Sequence, residues 1–268
     1  MALEGLPQGI AVVTGAAGGM GSACARQLAD AGWDNLLLCD VSSERLEAVA
    51  GPLRAAGHAV DRLAGDVADP AFPARVMTML AGAPIAALVH TAGISPAQGD
   101  ARRIIDVNLD ATARLVDAAR DHMAPGSAAI LFASNSSYFP MPPEAAAAFT
   151  APLPPAGAVS LVHFAPQPEL AYPLSKLGVR ALVKREAKAF GARGVRIASI
   201  SPGAIDTPMT QGASFQMAQR MVDASASGRM GRPDELAAVA VFMCSPAAGF
   251  VTAVDWLVDG GHTAGMGL

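Results

Sequence analysis

The chain has 268 residues, enough for one large α/β domain or two small ones with a substantial buried core. Hydrophobic residues make up 52% and the net charge is −4 with no basic run, which argues against nucleic acid as the main partner. No stretch reads as a spanning helix of about 20 apolar residues, residues 1–7 lack the basic and apolar regions of a signal peptide, and Cys24, Cys39 and Cys244 have no metal-ligand spacing. The expected class is therefore a cytoplasmic protein in a reducing compartment, with no membrane segment and no metal. The five histidines are scattered and read as ordinary side chains.

Ile10-Ala-Val-Val-Thr14 is an apolar run of strand type that passes into Gly15-Ala-Ala-Gly-Gly-Met-Gly21 and a helical pattern through Ala31. Strand, glycine-rich turn and helix start are the parts of a phosphate cradle: glycine lets the backbone come close, and the helix N-terminus offers free N–H groups. The spacing Thr14-Gly15-x-x-x-Gly19-x-Gly21 differs from the common Gly-x-Gly-x-x-Gly fingerprint. Asn35-Leu-Leu-Leu-Cys-Asp40 reads as a second strand ending in an acid, about twenty residues after the glycines. A carboxylate there accepts ribose hydroxyls and repels a 2′-phosphate, so NAD is expected over NADP.

Ser43 to Ala56 is helical, and His58 to Ala64 is a third strand followed by Asp66-Val67. Asp66 suits either an adenine edge or a cap for the segment from Pro70. Residues 71–81 are helical; Pro84-Ile-Ala-Ala-Leu-Val-His90 is a fourth strand, ending in Thr91-Ala-Gly93; residues 100–123 read as one long helix holding Asp106-Val-Asn108-Leu-Asp110. Asparagine is a poor helix former, so Asn108 either serves a purpose or is simply exposed. Ser127 to Ser134 is a fifth strand with Ser134-Asn-Ser-Ser137 at its carboxyl end, the edge at which open α/β sheets bind ligands.

From Tyr138 to Pro168 the chain is rich in proline, alanine and bulky apolar residues, with Glu144 its one charged residue. This is too long and apolar for a plain connection and is expected to fold back as a lid or a short helix (Glu144 to Phe149), over a greasy pocket or a neighbouring subunit. Tyr172 and Lys176 follow, spaced i, i+4 on one face of a helix running to about Ala192. An ammonium near a phenol favours the phenolate and lowers its pKa, the tuning a proton-transfer group needs. The sixth strand runs from Gly194 to Ile200 and closes in Ser201-Pro-Gly203. Residues 204–227 read as loop, with Met209, Met217 and Met221 suited equally to a pocket or to the core. Pro233 opens the last helix and Val254 to Val258 is a seventh strand before Asp259-Gly-Gly261. With no repeat and no linker, the expected architecture is one Rossmann-type domain over residues 1–268. It has a doubly wound parallel sheet of about seven strands and helices on both faces.

Thr14-Gly-Ala-Ala-Gly-Gly-Met-Gly21, Asp66-Val67, Ala92-Gly93, Asp106-Val-Asn-Leu109, Tyr172-Pro-Leu-Ser-Lys176, Ser201-Pro-Gly203, Gly231-Arg-Pro233 and Val258-Asp-Gly-Gly261, in this order, resemble the short-chain dehydrogenase/reductase family. The resemblance implies reversible hydride transfer between a nicotinamide and an alcohol or carbonyl carbon. It implies that Tyr172 is the acid/base and that Lys176 lowers its pKa and holds the nicotinamide ribose. A strand-end serine would orient the substrate oxygen, Ser134 first and Ser136 as its rival, and Asn108 would hold a water in a proton relay from Lys176. Cofactor contacts are implied for Gly15, Ala17, Gly19, Met20, Gly21, Asp40, Asp66, Val67, Ala92, Gly93, Pro202, Gly203, Ile205 and Thr207. Three departures stand out: Thr91 replaces an asparagine, Ser134 lies 38 residues before Tyr172 where the family serine stands much closer, and Ala253 replaces a glycine. The insertion is similar to that of the bacterial 3α-hydroxysteroid dehydrogenase/carbonyl reductase group.

These readings converge on an NAD-dependent dehydrogenase or ketone reductase for a bulky hydrophobic, steroid-like or aromatic substrate, assembled as a homodimer or homotetramer. The alternatives are a non-catalytic NAD-binding regulator on the same fold and an isomerase or dehydratase that retains its NAD.

Overall fold

In the computed structural model, described here over residues 3–211 and 215–268, seven strands form one parallel sheet in the order β3-β2-β1-β4-β5-β6-β7. They are β1 (Ile10–Thr14), β2 (Asn35–Asp40), β3 (Ala59–Ala64), β4 (Ile85–His90), β5 (Met123–Phe132), β6 (Arg196–Pro202) and β7 (Asp255–Val258). Parallel strands need crossovers, and each crossover lays a helix on the sheet. Both faces are thereby covered, and this is why β4 and β6, buried along their whole lengths, read as unbroken runs rather than alternations.

Helices α1 (Gly19–Ala31), α2 (Ser43–Ala55) and α9 (Pro233–Cys244) lie on one face. There Ala11, Val13 and Ala87 of the sheet meet Leu28, Leu46 and Leu236. On the other face Val12, Leu88 and Ile197 meet residues of α3 (Phe72–Met79), α4 (Ala101–Ile105), α5 (Ala111–Arg120) and α7 (Pro168–Gly191). β1 sits between β2 and β4, so the chain reverses direction across the sheet there. The carboxyl ends of these strands open the crevice where such sheets bind ligands.

Two expectations are corrected. The segment 100–123 is not one helix: α4 and α5 are separated by a π-helical turn, Asp106–Asp110, and β5 already begins at Met123. A π turn takes in one extra residue, which shifts the helical ladder and frees its carbonyls for other donors. Residues 215–223, read as loop, form α8 (Phe215–Asp223). Phe215, Met217, Ala218, Met221 and Val222 fall on one side of it and Gln216, Gln219, Arg220 and Asp223 on the other, a helical period that the loop reading passes over. Residues 212–214, within that same stretch, lie outside the described residues.

The segment 138–168 folds as α6 (Pro143–Thr150), a largely exposed run over residues 151–156 in which Leu153 and Pro154 are half-buried, and a 3₁₀ helix, Ala158–Phe164. It packs on α7, α4 and the π turn. Ala145, Phe149, Ala158, Leu161 and Ala165 enter the same core as the sheet. Gly157 has φ +80, and Asp110 fills the space a Cβ would need there. The short helix expected over Glu144 to Phe149 is present within α6. At the far end, Ala253 has φ +59, a left-handed conformation that costs an L-residue roughly 1–2 kcal/mol. This is the physical reason a glycine suits that place, a departure that sequence alone leaves uninterpreted. The chain ends in the short α10 (His262–Gly265).

Candidate active site

Thr14 ends β1, and Gly15 turns the chain with φ +68 so closely over β4 that a Cβ would stand 2.7 Å from the Ala92 nitrogen. A Cβ on Gly21 would reach within 2.1 Å of the Gly15 carbonyl oxygen, and one on Gly19 would strike the Thr207 methyl at 2.7 Å. The two glycines are therefore required by close packing of helix on strand. α1 begins at Gly19 behind Gly18, with no side-chain cap and no acid in its first turn. Its leading N–H groups thus remain available to a phosphate.

Asp40, at the carboxyl end of β2, is buried beside this turn. It accepts the N–H groups of Ala17 at 3.1 Å and Ser42 at 3.2 Å, with Arg45 at 3.7 Å. A carboxylate has about four acceptor directions, so two remain for ribose hydroxyls. The donor set and the glycine turn fit a dinucleotide.

Other expected contacts sort by where their side chains go. Asp66 accepts the Ala68 N–H and pairs with Arg103, while α3 starts behind Ala71, so Asp66 is not its cap. Val67 and Ile205 pack into the core, leaving only backbone to a ligand. Ala92, Gly93, Pro202 and Gly203 lie at the carboxyl ends of β4 and β6, and Met20 is half-buried in the first turn of α1. Thr91, which stands in place of an asparagine, donates its hydroxyl to the Thr14 carbonyl at 2.8 Å. It thus ties β4 to β1 instead of reaching outward.

Tyr172 and Lys176 share one face of α7. Pro173 between them leaves the Glu169 carbonyl without its helical donor, a loss that exposure of Glu169 lets water make good. Lys176 is buried and donates from Nζ to the Phe132 carbonyl at 2.9 Å; burial lowers its pKa to about 8. Tyr172 is half-buried, with the Ser134 hydroxyl near its phenol. Burial raises the Tyr172 pKa and the Ser134 hydroxyl works against it. The Tyr172 pKa stands above the ordinary phenol value, so burial outweighs any lowering by Lys176, whose ammonium is turned to the Phe132 carbonyl.

Ser134 is the serine at the tyrosine. Ser136 lies behind it, donating its hydroxyl to Ser134 Oγ at 3.0 Å. Asn108 is fully buried rather than exposed. Its Oδ1 accepts the Ile94 N–H at 2.9 Å, and its Nδ2 donates to the Ile94 carbonyl at 3.0 Å and to Ser175 Oγ at 3.2 Å. Across Gly93, a Cβ would come 3.0 Å from Asn108 Oδ1 and 3.1 Å from Lys176 Nζ. The hydrogen of glycine thus leaves room for both groups close to the same point.

Sequence reasoning missed a polar cluster beside this site. Arg180 lies 3.6 Å over the centroid of the Tyr138 ring and 3.4 Å from Asp255, while the Tyr138 hydroxyl donates to Asp255 at 2.7 Å. The only sequence signal is a lone tyrosine among apolar residues, and a partner on a strand 117 residues away leaves no pattern. Asn135 likewise bonds His262 of α10 at 2.9 Å.

A doubly wound sheet, a glycine cradle at its crevice and a Tyr–Lys–Ser–Asn group at the same edge define a dinucleotide-binding enzyme of the hydride-transfer kind. The chain belongs to the short-chain dehydrogenase/reductase family, whose members generally use a nicotinamide cofactor. The profile described as short chain dehydrogenase matches residues 9–151, and one described as enoyl-(acyl carrier protein) reductase matches residues 157–263. The chain is 32% identical over 272 residues to cis-4-hydroxycyclohexanecarboxylate dehydrogenase of Sinomonas cyclohexanicum, covering 97% of this chain and 99% of that protein. It is 33% identical over 268 residues to galactitol 2-dehydrogenase (L-tagatose-forming) of Cereibacter sphaeroides, covering 94% of each. The crystal structure of a short-chain dehydrogenase/reductase, glucose/ribitol dehydrogenase, from Brucella melitensis superposes with a TM-score of 0.77 at 26% identity, covering 98% of this chain and 99% of that one. Among the described residues no helix is long and apolar enough to cross a membrane.

Proposed function

We propose that the protein is an NAD-dependent dehydrogenase of secondary alcohols, reversible as a ketone reductase, acting on a bulky, mainly apolar and cyclic alcohol. The observation that carries this reading is the grouping of Tyr172 and Lys176 on one face of α7 with Ser134 near the phenol and Asn108 near Lys176 at Gly93, at the sheet edge that also holds the glycine cradle. NAD, when bound, supplies the hydride acceptor. Tyr172 takes the proton of the alcohol hydroxyl, and Ser134 donates to the oxygen on which charge develops, a contribution of about 3–4 kcal/mol for a well-placed donor. Lys176 takes the proton inward from the tyrosine, and Asn108, close to Lys176 at Gly93, would hold a water that continues the relay. Asp40 supports NAD over NADP, because its buried charge opposes a 2′-phosphate.

Two features support the substrate class. The names of the relatives include a ring alcohol as well as a polyol. Phe139 and Met141 open the apolar segment directly beside Ser136, where they can line a greasy pocket, in the manner of the 3α-hydroxysteroid dehydrogenase/carbonyl reductase group. The rest of that segment covers α4 and α7, which supports a role in limiting how copies of the chain associate. Exposed Phe250, Phe242 and Leu257 around the edge strand β7 support a homo-oligomer, which light scattering tests. Three unpaired buried cysteines fit a cytoplasmic location.

The deciding experiment follows NADH absorbance with a panel of cyclohexanols, steroid alcohols and polyols. Cyclic apolar alcohols are expected to react fastest; preference for polyols would overturn the substrate class. Tyr172→Phe is expected to lose at least about a hundredfold in kcat while still binding NADH, and full activity in that variant would overturn the site.

A further inference from the structure

His90 ends β4 with its ring enclosed, only 2% exposed, and the proposed reaction gives it no task. Its Nδ1 lies 2.6 Å from Thr14 Oγ1 and its Nε2 lies 2.8 Å from Thr112 Oγ1. Thr112 Oγ1 in turn donates to the backbone carbonyl of Asn108 at 2.8 Å. These contacts fix every hydrogen. A carbonyl only accepts, so the single Thr112 hydroxyl hydrogen is spent on Asn108. Thr112 Oγ1 must then accept from His90 Nε2–H. A neutral imidazole carries one N–H, so Nδ1 accepts, and the donor is the Thr14 hydroxyl. Burial lowers the His90 pKa to about 3, which keeps the ring neutral and the directions constant around neutrality.

The chain of donors therefore starts at Thr14, one residue before the glycine cradle, and ends on the residue whose amide oxygen lies with Lys176 Nζ at Gly93. Asn108 needs such support because it sits in the π turn, where the helical ladder is out of step. An apolar pair would fill the same space between β4 and α5, so the polar chain calls for a role besides filling.

We infer that His90 and Thr112 are positioning residues for Asn108, holding its carbonyl and thereby fixing the place of its amide beside Lys176 at Gly93. The inference rests on the dehydrogenase reading for its catalytic consequence and not for its geometry. Thr112→Val keeps the shape and removes the hydroxyl; Thr112→Ser restores the hydroxyl. The local reporter is the Ile94 amide, whose hydrogen goes to Asn108 Oδ1.

Thr112→Val is expected to lower kcat on the order of tenfold, with NADH affinity retained. It is also expected to speed hydrogen exchange at Ile94 relative to Val89 of β4, and Thr112→Ser is expected to recover both. Thr112→Ala carries the same expectation if Thr112→Val is not recovered folded. An Ile94 amide that keeps its protection in both hydroxyl-free variants overturns the inference whatever happens to kcat. So does a Thr112→Ser variant as impaired as Thr112→Val. Should the wild type oxidise no alcohol while Ile94 still responds, the positioning stands and the dehydrogenase reading falls.

Discussion

The carboxylate of Asp110 accepts the backbone N–H of Ala158 at 2.6 Å, and its second oxygen takes the Val159 N–H at 2.9 Å. One side chain thus caps the 3₁₀ helix of the 138–168 segment and fastens that segment to the π turn carrying Asn108. Asp110→Ala leaves two N–H groups unpaired in a largely buried place, at a cost of about 2–4 kcal/mol. The expected outcome is a lower Tm together with faster chymotrypsin cleavage after Phe149 or Phe164. Unchanged cleavage would show that packing alone holds the segment.

Ser134 and Ser136 are separable by pH. In the proposed reaction oxidation needs Tyr172 deprotonated, and the nearby Ser134 hydroxyl opposes the rise that burial imposes on its pKa. Ser134→Ala leaves burial unopposed, so the alkaline rise of the oxidation rate should move to higher pH. Reduction, which needs the phenol protonated, should persist to higher pH as well. A loss of about 10²–10³ in kcat should accompany the shift. Ser136→Ala removes only a donor to Ser134 Oγ and should move the profile less. Full pH–rate profiles in both directions check this.

His90 makes a distinct contribution to acid sensitivity. Its folded pKa, about 3, lies below the ordinary 6.5, so between those values the unfolded chain holds a proton that the folded chain does not. Stability from this group is complete above about 6.5 and falls by up to about 1.4 kcal/mol per pH unit as pH drops toward 3. Urea unfolding at a series of pH values from neutral downward should show a steeper decline for the wild type than for His90→Gln.

Ala253→Gly should stabilise the protein. The left-handed backbone at φ +59 penalises the Cβ more than glycine adds to the freedom of the unfolded chain. A net gain of about 0.5–1 kcal/mol corresponds to a rise in Tm of about 2 °C for a chain of this size. A lower Tm would mean that the methyl of Ala253 packs usefully enough to offset its strain.

The fold was legible because parallel strands buried on both faces must be unbroken apolar runs, and turns at their carboxyl ends must carry glycine. Tyr172, Lys176 and the glycine cradle were legible because a helix face or a tight turn fixes their geometry within a few residues. Ser134 could be placed by the strand it ends but not by spacing, since the inserted segment breaks the usual interval. The π turn at Asn108 left no trace, because one extra residue in a helix barely alters its period over so short a span. Helix α8 has a clear apolar side, but its nine residues make only about two and a half turns, short enough to be read as part of the surrounding loop. The bonds of His90 to Thr14 and Thr112 and of Tyr138 to Asp255 join residues far apart in the chain, and no local pattern announces such a meeting.

The largely exposed run over residues 151–156 divides the molecule in a way its compactness conceals. Before it lie the glycine cradle, Asn108 and Ser134; after it lie Tyr172 and Lys176. The two portions are sewn together by the β5–β6 ladder, from Ala128 opposite Arg196 to Phe132 opposite Ile200, and by Arg180 stacked on Tyr138. Neither portion holds a working set of groups, so the reactive centre exists only at a seam. Two polypeptides ending and beginning within that run should be inert apart and should regain turnover on mixing, because what joins them is pairing and packing rather than the covalent link.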